Sequence, residues 1–269
     1  MLEVQDFRDF SITSWYQKFK PLTITTIILE LPDEFSNKLR CFERGDDSEE
    51  EGDEENCPPA FIDELKNALN ILNNSVFIKN NWHAPTDARA FSFGNTLKAS
   101  SIDDIILFFK TSGILQEDFS SVKGVPFCLT LKQWVNIHPA AEFRCIVINN
   151  CLRGITPRDW PTYYPHFKEE GHEIIKTLNK FFTENIKLKF PRTHYVFDIV
   201  LSYPETPYIV DFNPLNSKTN LYAFSWKEIG PLLNKETIEE VAPVFRHLDS
   251  DIGIMTKASA LMKLQQSDD

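Results

Sequence analysis

The stretch Tyr195–Pro214, YVFDIVLSYPETPYIVDFNP, holds two carboxylates and an amide at spacings that could bind a cation: Asp198, Asp211 and Asn213. Alternating apolar runs flank Ser202–Pro207, whose Ser, Pro and Thr content predicts a turn. A symmetric loop centred between Pro204 and Glu205 sets Asp198 opposite Asp211 across the ladder, with Cβ atoms about 5 Å apart. Asn213 lies two residues on and shares that face. Two acids and an amide oxygen among Val196, Val200 and Ile209 are costly without a cation. Hard oxygen donors in that number suit Mg²⁺, which completes its octahedron with waters and phosphate oxygens. A hairpin face with its Asp residues simply in water accounts for the same residues, and a one-residue change of register separates the pair.

Basic and aromatic residues elsewhere could meet a phosphate or a base. Lys79 ends the apolar run Ser75-Val76-Phe77-Ile78 and precedes Asn80-Asn81-Trp82-His83-Ala84-Pro85. A lysine at a strand end can serve as a point charge for phosphate, and Trp82 could wall a base. A surface lysine and a core tryptophan fit equally. Arg144 alternates with Glu142 and Ile146 along an apolar strand, so it needs an anionic partner, either a carboxylate of this chain or a ligand phosphate. Arg158-Asp159 follows Pro157, where a loop arginine could swing over a ligand or pair locally with Asp159. Lys132-Gln133-Trp134 lies on the predicted strand Leu129–Val135, whose backbone could read an adenine edge.

The elements that must position these groups follow from periodicity. Leu22–Leu31 is rich in β-branched residues and predicts a strand, with a short helix near Asp33–Phe42. Phe61, Ile62, Leu65, Ala68, Leu69 and Leu72 have helical spacing, and Val76–Lys79 reads as a short strand. Ser101 and Asp104 can start a helix over Ile102–Lys110, ended by Gly113. Asn149-Asn150 between alternating apolar runs is a type I′ hairpin signal. Ile174, Leu178, Phe181 and Phe182 form the stripe of a long helix over Phe167–Asn185. Strand-rich stretches broken by helices predict an α+β fold.

Composition narrows the function. The 269 residues carry 28 Lys+Arg against 39 Asp+Glu, a formal charge of −11. Eight of the acids lie between Asp46 and Glu55, in a low-complexity segment over 44–60 that reads as a mobile insertion. With no basic face, direct nucleic-acid binding is not expected. Five Cys (41, 57, 128, 145, 151) lack CxxC spacing, which argues against structural zinc or a disulfide framework. The six His show no ligand spacing and read as structural or exposed. The polar, acidic start is no secretory signal, and no apolar run approaches the ~18 residues of a membrane span. None of the nine Gly stands within five residues of another, which excludes GxGxxG and GxxxxGK[ST]. Any nucleotide is bound by a less familiar route.

Taken together, NSVFIKNNWHAPTDA (74–88), AEFRCIVINN (141–150), ITPRDW (155–160), YVFDIV (195–200) and IVDFNP (209–214) resemble the cell-division-cycle protein 123 family. The similarity runs from Ser14-Trp15-Tyr16 to about Trp226. Departures are Ile78 where relatives commonly have Pro, Thr86 where a basic residue is common, and Leu215-Asn216-Ser217-Lys218 in place of a Gly-Glu loop.

The resemblance implies an ATP-grasp fold, with two α+β lobes whose antiparallel sheets enclose a nucleotide cleft and with ATP and Mg²⁺ as cofactors. The expected division is an N-terminal lobe over 1–130 carrying the acidic insertion, a C-terminal lobe over 131–242 and a tail over 243–269, whose signals are mixed helical and polar. By the same resemblance Lys79 contacts phosphate, Asn81, Trp82 and Ala84 form a loop over the nucleotide, and Lys132, Gln133 and Trp134 lie beside adenine. Arg144 and Arg158 neutralise phosphate, and Asp198, Asp211 and Asn213 hold magnesium. The implied function is a cytoplasmic assembly chaperone for eukaryotic translation initiation factor 2, a monomer outside the complex. It binds the gamma subunit and promotes heterotrimer formation, and so supports translation initiation and the cell cycle. The alternative is an ATP-grasp enzyme, a carboxylate-amine ligase or protein-modifying enzyme working through an acyl phosphate. A third reading is an interaction protein with a decayed ATP site.

Overall fold

The computed structural model describes residues 4–33, 58–92, 94–202, 206–235, 241–253, 256, 257 and 259. The helix expected near Asp33–Phe42, the acidic segment except its last three residues, and the turn at 203–205 lie outside the described residues. The chain divides into two compact units, Met1–Val135 and Asn136–Asp269. Both are α+β, as the sequence predicts.

The first unit opens with two short helices, α1 (Val4–Phe10) and α2 (Ile12–Phe19), and β1 (Thr26–Glu30). Helix α3 (Pro59–Ile71), strands β2 (Val76–Lys79) and β3 (Lys98–Ala99), helices α4 (Ile102–Thr111) and α5 (Gly113–Ser121), and β4 (Cys128–Gln133) follow. The four strands form an antiparallel sheet in the order β1-β4-β2-β3. Alternation puts Val76, Ile78, Leu129, Leu131 and Ala99 on one face, all almost wholly buried. The opposite face carries Thr26, Thr130, Lys79 and Lys132.

Helix α4 starts as predicted, with the Ser101 hydroxyl accepting from the Asp104 N–H and the Asp104 carboxylate accepting from the Ser101 N–H. Gly113 does not act as its stop. It is the first residue of α5, because Ser112 offers a better cap: its hydroxyl accepts from the Leu115 N–H at 3.2 Å.

The second unit contains the hairpin β5 (Glu142–Ile148) and β6 (Cys151–Pro157), then helix α6 (His166–Asn185). The hairpin β7 (Tyr195–Val200) and β8 (Tyr208–Pro214), helix α7 (Trp226–Leu233) and the two-residue strand β9 (Val244–Phe245) complete it. The sheet order is β8-β7-β5-β6-β9, antiparallel except where β9 pairs parallel with β6. Asn149 and Asn150 have φ of 51° and 58°, as a type I′ turn requires. One face of the sheet is apolar and packs on α6: Phe182 stacks on Phe197 at 6.0 Å and Phe143 meets Phe167 at 5.8 Å. Ile146, Ile148 and Val196 on the other face form a core with Leu221, Phe224 and Ile229. Gly154 is needed there, since an added Cβ would stand 2.8 Å from the Phe224 ring.

Among the described residues, no helix is long and apolar enough to cross a membrane.

Candidate functional site

In the second unit one row across four strands reads Asp211, Asp198, Arg144, Thr156. The pairing Asp198↔Asp211 is the one predicted from the hairpin, as is Val196↔Asn213. Toward the turn the symmetric register fails. The ladder shifts after Asp198, so that Ile199 faces Ile209 and Val200 faces Tyr208. The extra residue, Val210, is a bulge that turns Ile209 to the apolar face and puts Tyr208 on the carboxylate face, where Ile209 was expected. A symmetric loop cannot anticipate a bulge.

Asp198 is 2% exposed, and Arg144 meets it through two parallel bonds, Nε to Oδ1 and Nη2 to Oδ2, each 2.8 Å. The third arm of Arg144, Nη1, donates to the Asn220 carbonyl at 2.6 Å. Its anionic partner is therefore a carboxylate of this chain, one of the two partners the sequence left open. Burial works against the Arg144 charge, yet Asp198 outweighs it and holds the guanidinium above its ordinary range. Arg158 does not pair with Asp159. Its Nη1 donates to Glu142 at 2.7 Å and lies 3.6 Å from Asp198, while its Nε donates to the Tyr222 hydroxyl at 3.1 Å. Burial opposes its charge too, but Asp198 and Glu142 raise it well above the usual value. Asp159 instead accepts from the Tyr164 hydroxyl.

The donor set fits magnesium of a particular kind. Among the described residues, no group of three or more His, Cys, Asp or Glu side chains makes a complete cage for a metal. Asp198, Asp211 and Asn213 provide oxygen from two carboxylates and one amide, each carboxylate oxygen with a second lone pair. That is the partial set a cation shares with phosphates. Formally, Asp198, Asp211 and Glu142 against Arg144 and Arg158 leave one negative charge. A divalent cation alone would make the cluster positive, whereas a cation arriving with polyphosphate would not.

The first unit does not gather its seven candidates into one cluster. Lys79 faces Thr130 and Lys132 faces Phe77, so the lysines are diagonal neighbours on one sheet face, about 7–8 Å apart. They are 2% and 3% exposed, which excludes the surface-lysine alternative, and Lys132 lies 5.8 Å from the centre of the Trp15 ring. Gln133 belongs to the opposite face, across from Val76. The N–H groups of Gln133 and Trp134 donate to the Thr25 and Ser75 carbonyls, both at 2.8 Å.

Asn81 is wholly buried: its amide nitrogen donates to Ser11 and to the Pro126 carbonyl, and its oxygen accepts from the Cys128 N–H. Trp82 is a core residue, its ring edge-on to Phe7 and Phe127 and its indole N–H donating to the Phe7 carbonyl at 2.7 Å. Ala84 stays at the loop, half-buried.

The residue that builds this loop is Asn80, which carries no motif of its own. Asn80 accepts from the N–H groups of Trp82 and His83, both at 2.8 Å, and donates to Asp118 at 2.7 Å. His83 Nδ1 meets the same Asp118 oxygen at 2.8 Å. The turn preference of Asn was the available signal for Asn80; nothing local marks Asp118. Burial pushes the Cys128 thiol up to about 11, against Thr130 and Lys79, which disfavours the thiolate.

A family model described as D123 matches residues 40–268. A protein named translation initiation factor eIF2 assembly protein from Xenopus tropicalis is 30% identical over 282 residues, 90% of this chain and 84% of that protein. One of the same name from Dictyostelium discoideum is 32% identical over 232 residues, 74% of this chain and 60% of that protein. The solved structure of Cdc123 from Schizosaccharomyces pombe superposes with a TM-score of 0.79 at 24% identity, covering 93% of this chain and 99% of that one. With the model spanning most of its length and a relative at this identity aligned nearly end to end, the chain belongs to the D123 family.

Proposed function

We propose that this chain is an ATP- and magnesium-binding chaperone in the assembly of translation initiation factor 2, acting on the gamma subunit to promote heterotrimer formation in the cytoplasm. The observation that carries the assembly role is the relative from Xenopus tropicalis, whose name states it and which aligns over 84% of its length. The nucleotide reading draws on the row Asp211, Asp198, Arg144 and on the ATP-grasp resemblance of the motifs.

Asp198, Asp211 and Asn213 would hold the magnesium, which when bound offsets phosphate charge. Arg144 orients Asp198 through its paired bonds. Arg158 meets phosphate oxygens. Lys79 and Lys132 supply buried positive charge toward the nucleotide, Gln133 and Trp134 stand beside the base, and Asn81, Trp82 and Ala84 shape the loop after Lys79.

The test is a thermal-shift titration with ATP, with and without Mg²⁺, on wild type and Asp211→Ala. At about 100 times its dissociation constant, ligand adds roughly 2.7 kcal/mol, a shift of several degrees. A Mg²⁺-dependent shift in wild type, lost in Asp211→Ala, is the expected result; no shift at millimolar nucleotide would remove the nucleotide part. Failure of the purified chain to capture the isolated gamma subunit would remove the partner. Steady ATP turnover stimulated by an amine or a carboxylate would move the chain to the ligase reading.

A further inference from the structure

This inference rests on the nucleotide reading above. Arg144 and Arg158 lie against one aromatic ring that no motif points to. Their guanidinium carbons are 4.9 Å and 5.9 Å from the centre of the Tyr222 ring, whose hydroxyl accepts the Nε–H of Arg158 at 3.1 Å. Tyr222 has φ of +54°, a left-handed conformation that a bulky residue adopts only where its surroundings force it.

The surroundings are specific. The Asn220 side-chain oxygen accepts from the Tyr222 N–H at 2.8 Å, while the Asn220 carbonyl takes Nη1 of Arg144. Leu221 and Phe224, on either side, are 2% and 7% exposed in the apolar core, and Phe224 fills the space that Gly154 leaves. The segment is pinned at both ends and by Arg144 itself, and the left-handed residue between the anchors brings its ring to the two arginines.

The donor count shows what this arrangement leaves available. Arg144 spends an N–H of each of its nitrogens on Asp198 and Asn220. Arg158 spends Nε on Tyr222 and Nη1 on Glu142, and Nη2 makes no hydrogen bond to a described residue. The Arg158 side chain is 33% exposed. Arg158 already has Glu142 and Asp198 beside it, and a third carboxylate in place of the ring would add one more negative charge against an incoming phosphate. An aromatic face attracts a guanidinium without doing so, and the hydroxyl fixes its rotation.

We propose that Tyr222 is a positioning residue, which holds Arg158 against Arg144 so that Nη2 of Arg158 is presented to the terminal phosphates of a nucleoside triphosphate. The test is calorimetric titration of wild type, Tyr222→Phe, Tyr222→Leu and Arg158→Ala with MgATP, magnesium triphosphate and adenosine. Tyr222→Phe keeps the ring and loses the acceptor, and should weaken MgATP and triphosphate by about tenfold, the scale of one charged hydrogen bond. Tyr222→Leu should weaken both further, and adenosine affinity should not move in either variant.

If Arg158→Ala weakens triphosphate while both Tyr222 variants bind it as wild type does, the inference is overturned. It is overturned equally if adenosine affinity falls by the same factor as triphosphate, because Tyr222 would then be maintaining the fold alone. A wild type that binds neither triphosphate nor ATP overturns the nucleotide reading as well, an outcome distinct from both.

Discussion

Two adjacent rows of the second unit's sheet differ by one residue in sequence and by everything in physics. One reads Asp211, Asp198, Arg144, Thr156; the next reads Phe212, Phe197, Cys145, Ile155. Both are largely buried, but they hold together differently. The aromatic row and α6 are a packing problem in which shape and volume decide, with Phe190 stacked 4.3 Å from Phe212 and Phe182 on Phe197. The charged row is a matter of matched partners. Arg144 has its carboxylate in Asp198, and removing one member leaves the other buried without its paired bonds. A sheet can therefore tolerate graded change on one face and very little on the other.

Substitutions sharpen that contrast. Arg144→Met should cost about 3–5 kcal/mol in denaturant unfolding, because the buried Asp198 loses both bonds of its paired guanidinium. Arg144→Met with Asp198→Leu should recover most of that loss; a double variant as unstable as the single one would show that Arg144 contributes by packing rather than by charge. On the other face, Phe197→Leu should cost only about 1–2 kcal/mol, the price of lost volume without a polar penalty. A larger loss there than for Arg144→Met would reverse the ranking of the two rows.

The smallest effect belongs to an ion pair outside both rows. Arg246 meets Glu228 through two bonds of 2.8 Å, and its backbone N–H donates to the Ile155 carbonyl, tying β9 to the helix α7 region. The Arg246 bonds, helped by Ser225, draw the Glu228 carboxyl down from 4.5 to about 2. Because the folded value lies below the unfolded one, this contribution is complete above about pH 4.5 and disappears as pH falls through about 2. The side chains are 37% and 45% exposed, so solvent screening leaves it under about 1 kcal/mol. Comparing the pH dependence of unfolding in wild type and Glu228→Gln checks this. A difference of several kcal/mol between pH 6 and pH 3 would mean the exposed pair behaves like the buried one.

Much of this was legible in the residues. Val76–Lys79 is a strand with the bounds its pattern suggests, the stripe of α6 lies where helical spacing puts it, and Asn149-Asn150 turns the chain with positive φ. The facing of Asp198 and Asp211 was legible as well, because alternation and a turn fix register near the middle of a hairpin. The bulge at Val210 was not: which residue a strand extrudes depends on packing on both faces. Nor was the fate of Trp82, whose ring and N–H are taken up by Phe7 and Phe127, residues 75 and 45 positions away. Asp118 and Tyr222 lack a local signature for the same reason.

By itself the sequence determined which side chains share a face, where helices begin, and which family carries these motifs, since these depend on spacing along one chain. Tertiary structure alone decided the partners: that Arg144 answers to Asp198, that Arg158 answers to Glu142 rather than Asp159, and that one tyrosine lies against both arginines. Burial makes a charge depend on whatever lies beside it in space, and that neighbour need not be near in sequence.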